Sequence, residues 1–185
     1  METQSLPTEL NARSTIRVFY ALVPSEAVRL QFVALARDVA RRSRGRAIMG
    51  DHVHLTLAFL GDVAATALPV LRRIGDQLPH LGADLAFDML GAWRASGVAW
   101  VAPDAVPPAL LDLHAALRAA LAAAGIDLDA RPFRPHVTLA RRCVQPHPRA
   151  HCTPIRWPVN RMALIGSELR PEGPRYSELG TWDLS

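Results

Sequence analysis

Hydrophobic and polar positions along this chain alternate between a period of two and a period of three to four, and the switches mark out its elements. Residues 15–23, rich in β-branched and aromatic side chains, predict a first strand. Pro24-Ser25-Glu26 then opens a helix whose stripe of Val28, Phe32, Leu35 and Val39 runs up to the Arg-rich residues 41–46. Residues 52–59 predict a second strand, closed by Gly61-Asp62. A helix is expected next, with Val63, Ala67, Val70, Ile74 and Leu78 on one side and Pro69 kinking it or delaying its start. Residues 84–90 and 97–102 read as a hairpin around 91–96. Pro107-Pro108 starts a third helix, with Leu110, Leu113, Leu117 and Leu121 on one stripe and Gly125 as its stop. Residues 133–140 predict another strand, 145–154 a loop containing Pro and His, and 159–168 and 175–184 two closing strands joined by the turn at 170–174. The alternation predicts an α+β fold with antiparallel or mixed sheets flanked by helices.

Length and composition narrow this only a little. At 185 residues the chain fits one compact domain, or two small lobes sharing a core that buries about two-thirds or more of the unfolded surface. Polar residues 1–13 read as a flexible leader, with 14–185 as the single domain. The leader lacks an apolar signal core, and no run approaches the roughly 20 apolar residues that span a bilayer, so a cytoplasmic protein with no membrane contact is expected. Cys143 and Cys152 then read as free thiols, although their spacing alone would permit a bridge. The net charge is +4 and every one of the 21 basic residues is Arg. A guanidinium fork matches phosphate oxygens, but a codon bias toward Arg and Ala accounts for most of the count. No oligomer signal stands out; a monomer with no obligate protein partner is the expectation.

One motif changes the picture. His54-Leu55-Thr56-Leu57 recurs 82 residues later as His136-Val137-Thr138-Leu139, each time in a predicted strand preceded by a helix. This is a weak internal duplication. Side chains on a strand alternate faces, so each His and Thr project together while the apolar pair anchors the other side in the core. Two halves facing one another would set both tetrads across one cleft. With an ordinary value near 6.5, one imidazole can be neutral and the other protonated near neutral pH. One can then take a proton from water while the other gives one to a leaving oxygen. The Thr hydroxyls can donate to non-bridging phosphate oxygens. No carboxylate cluster suggests a two-metal site, and neither metal nor cofactor is expected.

The flanks extend the match. They include Arg17-Val18-Phe19-Tyr20-Ala21 before Pro24, Ala58-Phe59-Leu60-Gly61 after the first tetrad, Gly97-Val98-Ala99-Trp100-Val101, and Phe133-Arg134-Pro135 with Ala140-Arg141 around the second tetrad. Ser167, Gly173, Tyr176 and Trp182 lie in the closing segment. From Ile16 onward the chain resembles the 2H phosphoesterases, specifically the bacterial and archaeal RNA 2′,3′-cyclic phosphodiesterases historically called 2′-5′ RNA ligases. The resemblance implies a bilobal fold with a pseudo-twofold axis and a central cleft. It implies hydrolysis of a 2′,3′-cyclic phosphate at an RNA or nucleotide end to a 2′-phosphomonoester, with 2′-5′ ligation as the reverse sense. By that resemblance His54 is the proton donor to the leaving 3′-oxygen, His136 the acceptor that activates water, and Thr56 and Thr138 bind the phosphate. Chemistry alone leaves the direction between two such similar imidazoles open.

Further candidates have a plainer reading beside the functional one. His52, where the family often has an Asn-like residue, shares the face of His54 by parity and is a bystander or a substrate contact. Arg134 shares the face of His136, and Arg141 falls just past the strand; either could meet substrate phosphate or be a surface Arg. Phe19 and Tyr20 could stack on a base, but they and the four Trp read first as core. His52-Val53-His54 could hold zinc only with further ligands, for example from residues 147–152. Arg41, Arg42, Arg44 and Arg46 could meet an RNA backbone or simply be solvated. Two alternatives stay open: a non-catalytic RNA-end binding protein, and a 2H enzyme acting on 2′-5′-linked oligonucleotides or ADP-ribose cyclic phosphate.

Overall fold

The computed structural model describes residues 14–79, 83–145, 148–171 and 173–184, so the leader expected at 1–13 lies outside the described residues. Along the chain come β1 (Thr15–Leu22), α1 (Glu26–Ser43), β2 (Arg46–Ala47), β3 (Leu55–Ala64) and α2 (Leu68–Asp76). They are followed by β4 (Asp84–Trp93), β5 (Val98–Ala102), α3 (Pro108–Ala123), β6 (Val137–Arg141), β7 (Ala150–Pro158), β8 (Arg161–Arg170) and β9 (Gly173–Asp183). The strands form one sheet in the order β7-β4-β5-β6-β3-β1-β8-β9, with β2 added beside β6. All the described pairings are antiparallel.

A single registered pair, Leu55 with Val137, joins β3 to β6 at the middle of this sheet. The sheet is therefore pinched into two halves, β1-β3-β8-β9 and β4-β5-β6-β7 with β2, which is the bilobal α+β arrangement. Helices α1 and α3 cross the pinch. α1 follows β1 but packs on β5, β6 and β7 of the other half, and α3 follows β5 but packs on β3 and α2. Each lobe is thus clamped by a helix threaded from its partner.

The main core fills the space between helices and sheet. Phe32 of α1 meets Phe87 and Trp157 edge-on, and Leu110, Leu113, Leu117 and Leu121 of α3 are buried as their spacing predicted. Leu55, Leu57, Val137 and Leu139 of the tetrads join the same core. Burying each such side chain fully is worth about 1.5–3 kcal/mol, so the apolar half of each tetrad anchors its polar half. On the opposite, cleft-facing side a smaller cluster of Phe19, Ala21, Ala163 and Ile165 packs against Tyr176.

Several boundaries differ from the sequence reading. β3 does not close at Gly61. That residue takes φ +70° beside a register shift, and the strand runs on to Ala64. Val63 is accordingly a strand residue paired with Ile16, and Pro69 sits in the first turn of α2, opening the helix rather than kinking it. The segment read as a loop at 145–154 contains the start of an edge strand, β7. Its Pro154 falls within a register shift against β4, where no ladder N–H is required of it. Finally, β6 begins at Val137 rather than at residue 133, and Gly50–His52 is a 3₁₀ turn, so strand parity does not govern His52 or Arg134.

Candidate active site

Pairing Leu55 with Val137 fixes the geometry of both tetrads. One step out in either direction along the antiparallel strands sets His54 opposite Thr138, and Thr56 opposite His136. The four polar residues occupy the corners of a square on one face of the sheet, with each imidazole facing the other strand's hydroxyl. The local twofold runs through the Leu55–Val137 pair. His54, Thr56, His136 and Thr138 are all half-buried.

The two histidines are tethered identically. Nδ1 of His54 lies 2.8 Å from the carbonyl oxygen of His52, and Nδ1 of His136 lies 2.7 Å from that of Arg134. A carbonyl only accepts, so each Nδ1 carries the hydrogen and donates it. Each Nε2 is left outside that bond, as the ring nitrogen that can exchange a proton. An aromatic ring also stands against each imidazole. Tyr176 stands edge-on to His54 at 5.7 Å between centroids, and Trp93 edge-on to His136 at 4.6 Å. Burial pushes both imidazoles below their ordinary value, His54 to about 4. The carbonyl tethers oppose this shift, while the charge of Arg141 reinforces it at both, as does His136 at His54.

Past each Thr, matching irregularities re-aim the strand. Against β1, Tyr20 pairs with Ala58 but Ala21 with Thr56, and against β5, Ala99 pairs with Ala140 but Trp100 with Thr138. In both places two successive residues, Leu57-Ala58 and Leu139-Ala140, are buried together. The residue after each pair returns to the cleft side. In the first repeat it is Phe59, 48% exposed; in the second it is Arg141. The duplication is thus broken at one position, and the break gives the cleft two unlike ends. A groove of about 660 Å³ around His136 and Thr56 is lined by Phe59, Trp93, His114 and Phe133, the last two stacked at 3.9 Å. A smaller cavity of about 280 Å³ around His54 and Thr138 contains Arg141 and Tyr176.

The remaining candidates fall unevenly. Arg141 is central: its charge acts on His52, His54, His136 and Tyr176. Arg134 is exposed on the wall of the aromatic groove, and its carbonyl rather than its guanidinium serves His136. His52 lies in the cleft, its ring tilted 51° to that of Tyr176 with centroids 4.6 Å apart, and bonded to the backbone of Pro174. Phe19 is only 3% exposed and its ring lies 4.9 Å from that of His54, so it backs the imidazole instead of offering a face to a base. Trp93, read from sequence as core, is a half-buried cleft residue, and Tyr176 is the other aromatic whose site position the sequence did not isolate. Hairpin geometry carries both to the site; parity within the tetrads says nothing about them. Among the described residues no three of His, Cys, Asp and Glu gather into a metal-binding group; His147 lies outside them, and both cysteines are free thiols.

Comparison with known proteins agrees with this fold. The family model of the 2′-5′ RNA ligase superfamily matches residues 24–170. The chain is 30% identical over 173 residues to the RNA 2′,3′-cyclic phosphodiesterase of Escherichia coli K12, covering 91% of this chain and 97% of that one. It is 35% identical over 182 residues to the protein of the same name from Thermus thermophilus, covering 91% and 90%. A crystal structure of E. coli LigT complexed with 3′-AMP superposes with a TM-score of 0.82 at 29% identity, over 93% of this chain and 99% of that one. With the duplicated tetrads on adjacent strands and these matches over nearly its whole length, the chain belongs to the 2′-5′ RNA ligase superfamily of 2H phosphoesterases.

Proposed function

We propose that the protein opens 2′,3′-cyclic phosphates at RNA or nucleotide ends, leaving 2′-phosphomonoesters, by acid–base catalysis between His54 and His136. The observation that carries this reading is the square of two imidazoles and two hydroxyls, with both Nε2 atoms freed by matching Nδ1–carbonyl bonds. Nε2 of His136 takes a proton from water as its oxygen bonds to phosphorus. In line with that attack the P–O3′ bond breaks, and Nε2–H of His54 protonates the departing 3′-oxygen. Each positioned transfer is worth about 10²- to 10⁴-fold in rate. Thr56 and Thr138 donate to the non-bridging oxygens, and Arg141 balances their charge.

Direction needs one further step. In the free protein burial holds His54 at about 4, an imidazole that is neutral at pH 7. The negative charge of a bound phosphodiester raises it, so the substrate itself recruits the proton that His54 then delivers. On this reading the protein acts as a cytoplasmic monomer, residues 14–185 form its single domain, and no metal or cofactor enters the chemistry. Among the described residues no helix is long and apolar enough to cross a membrane.

A second reading follows from the aromatic groove, which opens beside His136 where the nucleophile must stand. A nucleoside whose 5′-hydroxyl replaced water there would give a 2′-5′ linkage by the same P–O3′ cleavage. Phosphorus NMR of a 2′,3′-cyclic nucleotide incubated with the protein in EDTA tests both. A 2′-phosphomonoester signal is expected, joined by a diester signal when a 5′-hydroxyl oligonucleotide is added in excess. A 3′-phosphate product would overturn the bond assignment, and no diester would overturn the second reading.

A further inference from the structure

The cavity beyond His54 and Thr138 holds more positive charge than the reacting phosphate requires. Besides Arg141 it is lined by Arg46, Arg142 and Arg170. Arg170 is answered by Glu168 at 2.9 Å, and Arg29, Arg41, Arg42 and Arg161 elsewhere each have a carboxylate. Among the described residues Arg46, Arg141 and Arg142 have none within ion-pair reach. Their crowding is built into the backbone. Arg46 and Arg141 are registered partners on β2 and β6, so two like charges face each other directly, an arrangement that destabilises a sheet. Arg142, a non-glycine residue, takes φ 56°, in the left-handed region where side chains are strained. The bonds Cys143 N to Gly97 O at 2.9 Å and Gln145 N to Ser43 O at 3.0 Å pin the chain just beyond it. Among the described residues, then, three guanidiniums without a carboxylate share one cavity, two of them on registered partners, and their mutual repulsion is what a bound anion relieves.

The proposed reaction says which anion fits. If the 3′-oxygen leaves toward His54, the ribose lies on the His54 side of the phosphorus, and the cavity opens on that side. We infer that Arg46 and Arg142 form a second anion subsite for the phosphodiester on the 5′ side of the cyclic-phosphate nucleotide, making the protein selective for oligonucleotide ends over free cyclic nucleotides. The inference rests on the proposed function. Arg141 remains with the reacting phosphate, and the aromatic end of the cleft takes no part.

The test compares kcat/KM for a mononucleoside 2′,3′-cyclic phosphate with that for a dinucleotide ending in the same group, in the wild type and in Arg46→Gln, Arg142→Gln and the double variant. The wild type is expected to prefer the dinucleotide by about tenfold or more. The preference should fall with added salt, as loss of single-strand phosphate contacts does. The double variant should lose most of the preference while its mononucleoside kcat/KM stays within about twofold. Arg46→Gln, which leaves the turn at residue 142 intact, carries the comparison by itself should the double variant not fold. Equal wild-type rates on the two substrates, or variants that slow both alike, would overturn the subsite. A wild type that hydrolyses neither would instead overturn the proposed function beneath it.

Discussion

His54 and His136 are held by the same device, a ring nitrogen given to the carbonyl two residues back, and both imidazoles titrate below their ordinary range because burial disfavours the cation. This shapes the pH dependence. The proposed mechanism needs one imidazole protonated and the other neutral, and kcat/KM reports those groups in the free protein. Since both are lowered, the optimum of kcat/KM is expected below pH 6.5, whichever histidine is the donor. The phosphodiester's charge raises both in the complex, so the kcat profile should lie at higher pH than the kcat/KM profile. Steady-state rates from pH 4 to 9 check this; a kcat/KM optimum above that of kcat would contradict it. The limbs of such a profile belong to the pair and do not by themselves name the donor.

At the scale of the elements, the strands bring in residues that no tetrad announces. Gly91 of β4 faces Trp100 of β5, and a Cβ at Gly91 would lie 2.3 Å from that indole. Trp100 in turn lies 5.7 Å from Trp93, which braces His136. Gly91→Ala is therefore expected to shift this aromatic file and lower kcat by about tenfold or more, with circular dichroism still reporting a folded sheet. Unchanged kcat would show that Trp93 does not depend on the packing behind it. The same scale explains what could be read in advance. Period-two parity placed His54 with Thr56 and His136 with Thr138, and helical spacing picked out the buried face of α3. Parity fails wherever a bulge or turn resets it. The side of Arg141 is set by the shift at Leu139-Ala140, β7 is concealed by Pro154, and Tyr176 reaches His54 only through the β8–β9 hairpin. Those placements depend on pairing between distant segments, which single-chain periodicity does not contain.

In the whole molecule, two lobes meet at one registered pair and exchange helices, so the tetrads sit on the seam rather than in either half. On the proposed mechanism, a seam built this way makes the two histidines one unit instead of two independent sites. Groups that act as a unit give strongly non-additive losses when removed. His54→Ala and His136→Ala should each cost about 10²- to 10⁴-fold in kcat on a 2′,3′-cyclic nucleotide. The decisive measurement is kcat of the His54→Ala/His136→Ala double variant beside the two single variants, each with its thermal unfolding checked. The double variant is expected to lose about as much as the more damaged single variant. Losses that multiply, or a single variant with full activity, would contradict a shared two-histidine site.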